Sequence, residues 1–469
     1  MNKLTMPIPR EIITDFAAEI QAKKRQGPKP AKDVIDFRTD RRDGKERDIY
    51  YVPIDLLRYR KDNGRISSDV LNYQKAHGLL VETSATAQHL IEGFLKEKDK
   101  EKTEELLSSM EYEGQREAAI ITSDGFLING NRRLMALKIL RKKHPADPRF
   151  QDMRVVILPG KDAEGEGGPP TLLEIEQIEN RYQLQSEAKA EYYAFDRALS
   201  MRRKIAFGMS LEQQLRDDPI YAGLNDKKFR EEVQKVEKEY LKPLECVDRY
   251  LEQLGRNGLY STVSTGLGDP EGRWQAFLDY YTFVYQKLED DKKRVKLGVA
   301  EDEVGKVEVA AFKIIRRREL PDLPKLHKIM RDLPKMLANE DAKREILKLA
   351  DVELDLTKEE RFDENGKEYD ERRIDKIWGA KHVARITKHV KKAQKCYQHT
   401  KGQETPLTLL QAALGKLNHE DMDPEALATN DLDRARKLVV EIRQRAIDLE
   451  KELYQCQKVV KQLDHKPKS

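Results

Sequence analysis

Two adjacent arginines at the start of a helix are the residues in this chain best placed to do chemistry. Arg132 and Arg133 follow Gly130-Asn131, and Asp124-Gly125-Phe126-Leu127-Ile128 before them reads as a tight turn and a short strand. The first turn of a helix carries partial positive charge and unpaired N–H groups, so it favours carboxylates over cations. A bound anion reverses that preference. A glycine lets a ligand approach the backbone, the free N–H groups point at it, and guanidinium forks grip phosphate oxygens in pairs. The spacing points to a phosphate cradle over Gly130, Asn131, Arg132 and Arg133. The alternative is two arginines that are solvated or paired with acids elsewhere.

The elements that must hold this cradle are legible around it. Residues 118–122 are apolar and β-branched, and Asp124-Gly125 is a hairpin signal. After Asn131 the apolar residues fall at Leu134, Leu137, Ile139 and Leu140, as in a helix packed on a sheet. Residues 49–54 and 153–158 read as further strands, and 66–110 as an insertion with two helices, over 86–95 and 101–110. Thr171 and Glu174 form a capping box for a helix over 171–180, and Ser186 caps the next.

Four segments in sequence order resemble the ParB/sulfiredoxin-like superfamily over roughly residues 49–200. The first is Val52-Pro53-Ile54-Asp55 followed by Asp62-Asn63-Gly64-Arg65; the second is Met110 to Gln115 before an apolar strand. The third is Gly130-Asn131-Arg132-Arg133, similar to that family's phosphate-binding box. The fourth is Glu179-Asn180-Arg181-Tyr182-Gln183, similar to its Glu-Asn-x-Gln-Arg box. The resemblance implies CTP, or another nucleoside triphosphate, with Mg²⁺. Gly130, Arg132 and Arg133 would then hold phosphates, Glu179 and Asn180 the metal end, and Arg65 and Gln115 the base side. Mg²⁺ suits one or two carboxylates plus phosphate oxygens. Here Arg181 directly follows the Asn and Gln183 comes three later, a departure that bears on hydrolysis and on the choice of base. Sulfiredoxin chemistry is not expected, because Cys246, Cys396 and Cys456 all lie outside the glycine-arginine box.

Composition sets the wider frame. Of 469 residues, 37% are charged, and 88 basic against 84 acidic residues leave a net charge of +4, so any nucleic-acid surface must be local. No apolar run is long enough for a membrane span, the first ten residues lack an apolar signal core, and three scattered cysteines fit a reducing compartment; a cytoplasmic location is expected. The fold expected is α+β: a basic flexible arm over 1–48, a small mixed-sheet domain over 49–160, and a larger all-helical part. Helical domains are expected over 171–265, where a helix-turn-helix could begin near Met209, and over 266–350. Residues 351–371 read as an acidic linker, and 372–469 as a helical or coiled-coil dimerisation region. The aromatics Trp274, Phe277, Tyr281 and Tyr285 read as a buried helix face rather than base-stacking rings. His382, His389, Cys396 and His399 share a helix face but span too many turns for one ion.

Three functions compete. The first is a ParB-like, nucleotide-gated DNA-binding protein acting as a dimeric clamp or regulator. The second is a nuclease or phosphotransferase using Asp124, Glu176 and Glu179 as metal ligands or base. The third is a non-catalytic adaptor of a mobile-element or anti-phage system, binding a protein partner through its C-terminal helices.

Overall fold

The computed structural model describes residues 10–98, 100–161, 163, 167–184, 194–263, 273–428 and 431–464. Among them, four strands form one mixed sheet: β1 (Ala31–Asp33), β2 (Arg47–Pro53), β3 (Ala119–Ile121) and β4 (Asp152–Ile157), in the order β1-β2-β4-β3. β2 is antiparallel to β4, with Val52 opposite Met153; β3 is parallel to β4, with Ile121 opposite Ile157. Helix α1 (Thr14–Lys23) precedes the sheet. The connection from β2 to β3 holds α2 (Ser67–His77), α3 (Ala85–Glu97) and α4 (Lys100–Glu113). A parallel pair requires a crossover, supplied by α5 (Asn131–Lys143); α6 (Leu172–Leu184) follows β4.

Strand alternation divides the sheet's two faces. Ala119, Ile121, Met153 and Val155 pack with Leu134, Leu137 and Leu140 of α5, while Ile120 and Val156 pack with Ile175 and Ile178 of α6. The capping box of α6 forms as expected: Thr171 N–H donates to Glu174 Oε2 at 2.8 Å and Glu174 N–H to Thr171 Oγ1 at 3.1 Å. The helix cap expected at Ser186 lies outside the described residues.

Two segments differ from expectation. The arm expected over 1–48 is, from Arg10 onward, part of the sheet layer. Ile20 is fully buried, Ile35 and Phe37 close the α6 face, and Arg25 exchanges backbone hydrogen bonds with Tyr51 at 2.9 and 2.8 Å. The basic residues between Ile20 and Phe37 masked the apolar residues that pack on the sheet. Residues 126–128, expected as a strand, make only isolated bridges, Ile121 with Leu127 and Arg58 with Phe126.

The larger part of the chain is helical, so the architecture is α+β as expected. It comprises α7 (Ala194–Ala206), α8 (Leu211–Arg216), α9 (Asp226–Val236), α10 (Lys242–Gln253), α11 (Trp274–Tyr280), α12 (Val304–Arg317), α13 (Leu326–Leu337), α14 (Glu340–Leu347), α15 (Glu371–Leu417) and α16 (Leu432–Asp464). One core runs from Phe195 to Ala393 and contains Trp274, Phe277 and Tyr281, so those aromatics are core residues. It crosses the divisions expected at 265 and 350, and takes in Val352 and Leu356 from the stretch read as a linker. Asp375 ties four segments together, accepting from Arg256 Nη1 at 2.8 Å, Arg316 Nε at 2.8 Å and Arg273 Nη2 at 3.0 Å. By contacts the chain divides into compact units at 1–397 and 398–469, the boundary falling within α15. No helix among the described residues is long and apolar enough to cross a membrane.

Candidate functional site

Gly130 caps α5 in the left-handed conformation (φ +86°), and no side chain caps the helix or places an acid in its first turn. The conformation is enforced by packing: a Cβ at Gly130 would lie 2.8 Å from the Cβ of Ala119 and 3.1 Å from Cε of Met153. Asn131 is 8% exposed and its Oδ1 has no hydrogen-bond partner. Arg132 reaches back to α4, donating from Nη2 to Thr103 Oγ1 at 3.3 Å. Arg133 donates from Nη1 to the Glu117 carbonyl at 2.6 Å, with the Glu117 carboxylate at 3.6 Å. Burial pulls the Arg133 guanidinium below its ordinary pKa, and Glu117 only partly offsets this. Arg133 is therefore neither dispersed in water nor buried against a closely matched acid, since the Glu117 carboxylate stands 3.6 Å away. A partly neutralised guanidinium stands beside an uncapped helix terminus, and a phosphate group fits there.

Glu179 and Asn180 stand in a different environment. Glu176 and Glu179 are 1% and 3% exposed. Arg60 donates from Nη2 to Glu176 Oε1 at 3.0 Å, and Arg203 from Nη2 to Glu176 Oε2 at 2.9 Å; both guanidinium groups also lie 3.5 Å from Glu179 Oε2. The Gly64 N–H donates to Glu179 Oε1 at 3.1 Å. Lys204 Nζ donates to Asn180 Oδ1 at 2.8 Å, and Asn180 Nδ2 donates to the Gln214 carbonyl at 3.0 Å. Burial alone would raise the Glu176 carboxyl, but Arg203 and Arg60 hold it below the usual carboxylate range. Burial also drags the Lys204 ammonium down to about 8, against the pull of Glu179 and Glu176.

This cluster is a strut joining the 58–66 segment to α6 and α7. Its cations already occupy the faces that Mg²⁺ would need, so Glu179 and Asn180 do not fit a metal in this arrangement. No grouping of three or more His, Cys, Asp or Glu among the described residues could hold one.

The other residues singled out from the sequence are dispersed. Asp124 is fully buried and accepts from Arg10 Nη1 at 2.8 and 2.9 Å, from the Ile13 N–H at 3.1 Å and from Thr122 Oγ1 at 2.6 Å. It anchors the N-terminal segment, which leaves no oxygen for catalysis. Gln115 pairs with the backbone of β4 just before β3 begins: its Nε2 donates to the Arg154 carbonyl at 2.8 Å and its Oε1 accepts from the Arg154 N–H at 2.7 Å. Arg65 lies in the middle of a 3₁₀ turn, Gly64–Ile66, capped by Asn63, whose Oδ1 accepts the Arg65 N–H at 3.0 Å. Sequence reasoning missed Arg60, Arg203 and Lys204, although the Arg202-Arg203-Lys204 run on one amphipathic helix was a usable signal.

A cleft of about 530 Å³ between α6, α8 and α9 is lined by Gln177, Arg181, Glu212, Arg216 and Phe229, and includes none of these residues. Of its cations, Arg181 pairs with Asp217 at 3.1 Å and Arg216 pairs with Asp226 at 3.1 Å while stacking on Phe229; Arg230 also lines it. Compared with protein-family models, curated proteins and solved structures, the chain matches none.

Proposed function

We propose that the chain is a ParB-like, nucleotide-gated protein that associates with DNA as a dimer, binding a nucleoside triphosphate of the CTP type at the N-terminus of α5. The observation that carries the reading is the uncapped terminus at Gly130 beside the incompletely neutralised Arg133. Phosphate oxygens accept from the first-turn N–H groups, and the two guanidinium groups swing from Thr103 and Glu117 onto the same anion. That exchange loosens α4 and the entry to β3, and so couples occupancy to the insertion and to the helices beyond the sheet. Glu179 and Asn180 contribute through the strut rather than by holding metal.

Calorimetry with CTP, ATP and GTP, with and without Mg²⁺, tests the site, alongside a DNA gel shift with and without nucleotide. Binding weakened at least tenfold by Arg133→Ala, in a variant with an unchanged circular dichroism spectrum, is the expected result. No binding to any of the three nucleotides overturns it.

A second reading, the adaptor, is favoured by the exposed apolar side chains of α16, such as Leu438, Val439 and Leu453. Partner capture that is insensitive to salt and unaccompanied by a DNA shift distinguishes it. A nuclease or phosphotransferase has no comparable support, since Asp124, Glu176 and Glu179 all direct their oxygens at internal donors.

A further inference from the structure

We propose that α16 pairs with α16 of a second copy of this chain as an antiparallel two-stranded coiled coil. Apolar residues recur along the helix at alternating steps of three and four. Leu432, Ala435, Val439 and Ile442 open the series, Ala446, Leu449, Leu453 and Cys456 extend it, and the sequence continues it at Val460 and Leu463. No charged residue interrupts the series. This is the a/d spacing of a left-handed two-helix seam, sustained along about 50 Å of helix. The seam is uncovered: Leu432 is 46% exposed, Val439 62%, Ile442 45% and Leu453 50%. A continuous apolar stripe of this length is an interface awaiting a partner.

Side-chain volume chooses the orientation. In a parallel, in-register pair each residue meets its own copy, so Ala435 faces alanine and Ala446 faces alanine, leaving two under-filled layers. In the antiparallel register that pairs the described seam positions, Val439 faces the partner's Cys456, Ile442 the partner's Leu453 and Ala446 the partner's Leu449. The central alanine then meets a larger side chain.

The flanking charges agree with this register. Arg443 lies beside the partner's Glu450 and Arg445 beside the partner's Glu452, and two-fold symmetry repeats both pairs. In the single chain Arg445 bonds Glu452 along its own helix, Nη1 to Oε1 at 3.0 Å, so both groups already sit on the seam's edge. A parallel pair would also match Arg445 with the partner's Glu450; the layer volumes therefore decide.

The inference takes its second copy from the dimer proposed above but uses no feature of α5. The test uses the full chain with Cys396→Ser, which leaves Cys456 exposed and Cys246 buried. Antiparallel pairing holds the two Cys456 residues about 25 Å apart along the axis, too far for a disulfide. Under mild oxidation this parent is expected to stay uncrosslinked, whereas adding Val439→Cys yields a covalent dimer that Cys456→Ser abolishes. Sedimentation equilibrium is expected to show a dimer that Ile442→Asp converts to monomer. Crosslinking of the parent through Cys456 overturns the orientation. A monomeric parent overturns the pairing, and assigns the seam to the chain's own Leu407, Leu410, Leu414 and Leu417, which share its spacing. A monomer that binds nucleotide sinks only the coiled coil, and a dimer indifferent to nucleotide sinks only the phosphate reading.

Discussion

Replacing Glu179 with glutamine separates a structural strut from a metal ligand. The substitution preserves size and leaves an acceptor for the Gly64 N–H, but removes one of two carboxylates facing Arg60, Arg203 and Lys204. Three cations would then face Glu176, with only the more distant Asp62 and Asp217 beside it, in a space almost closed to water. At 3.5 Å, each guanidinium–carboxylate contact amounts to about 5 kcal/mol at an effective dielectric constant of about 20. Retained contacts with Glu176 and relaxation of the site reduce the net loss. Removing one member of a buried ion pair costs about 3–5 kcal/mol, which is the expected drop in stability. Denaturant unfolding followed by circular dichroism measures it, with and without Mg²⁺. The drop should be the same in both conditions. Adding Lys204→Met removes one surplus cation, so the double variant should lose less than the sum of the single losses. An unfolding midpoint equal to wild type, or a loss confined to Mg²⁺-containing buffer, would refute the strut and restore Glu179 as a ligand.

Four further outcomes follow from the same structure. Asp375 is nearly buried; although burial would raise its pKa, Arg273, Arg256 and Arg316 hold it at about 2, below its value in an unfolded chain. The stability it provides is present above about pH 4 and lost as the pH falls toward 2, so acid unfolding should be steeper in wild type than in Asp375→Asn. Lys204 titrates near 8 when folded against an ordinary 10.5, so only the unfolded chain binds the proton between these values. Stability should therefore rise from pH 8 to 10.5 by up to about 1.4 kcal/mol per pH unit relative to Lys204→Met, read from paired denaturation curves. Gly130→Ala combines a left-handed residue with a collision against Ala119, and is expected to cost about 2–4 kcal/mol in equilibrium unfolding. Asp124→Asn weakens the anchor for Arg10 and the Ile13 N–H, so limited proteolysis should cut within residues 10–24 faster than in wild type, with the rest of the digest unchanged.

Local patterning carried most of the elements. Periodicity placed α5 and two of the three insertion helices, α3 and α4 but not α2, and Thr171 with Glu174 marked the start of α6, because these signals are written within one or two turns of chain. The packing of residues 10–48 on the sheet was illegible for the opposite reason. Ile20, Ile35 and Phe37 are buried by elements distant in sequence, and the charged residues between them hide any period. The seam of α16 was present in the sequence throughout, but Leu438, Val440 and Ile447 lie off it and blur the pattern until the helix fixes which residues share a face.

The sequence by itself determined that a glycine and two arginines open a helix behind a strand, since backbone freedom and charge are properties of residue type. Whether a carboxylate is available is not such a property. Glu179, Asn180 and Asp124 read as chemical groups along the chain, yet tertiary packing delivers Arg60, Arg203, Lys204 and Arg10 to their oxygens from residues 24 to 119 positions away. Long-range ion pairing is decided by where the fold brings opposite charges out of water, and no local spacing encodes it.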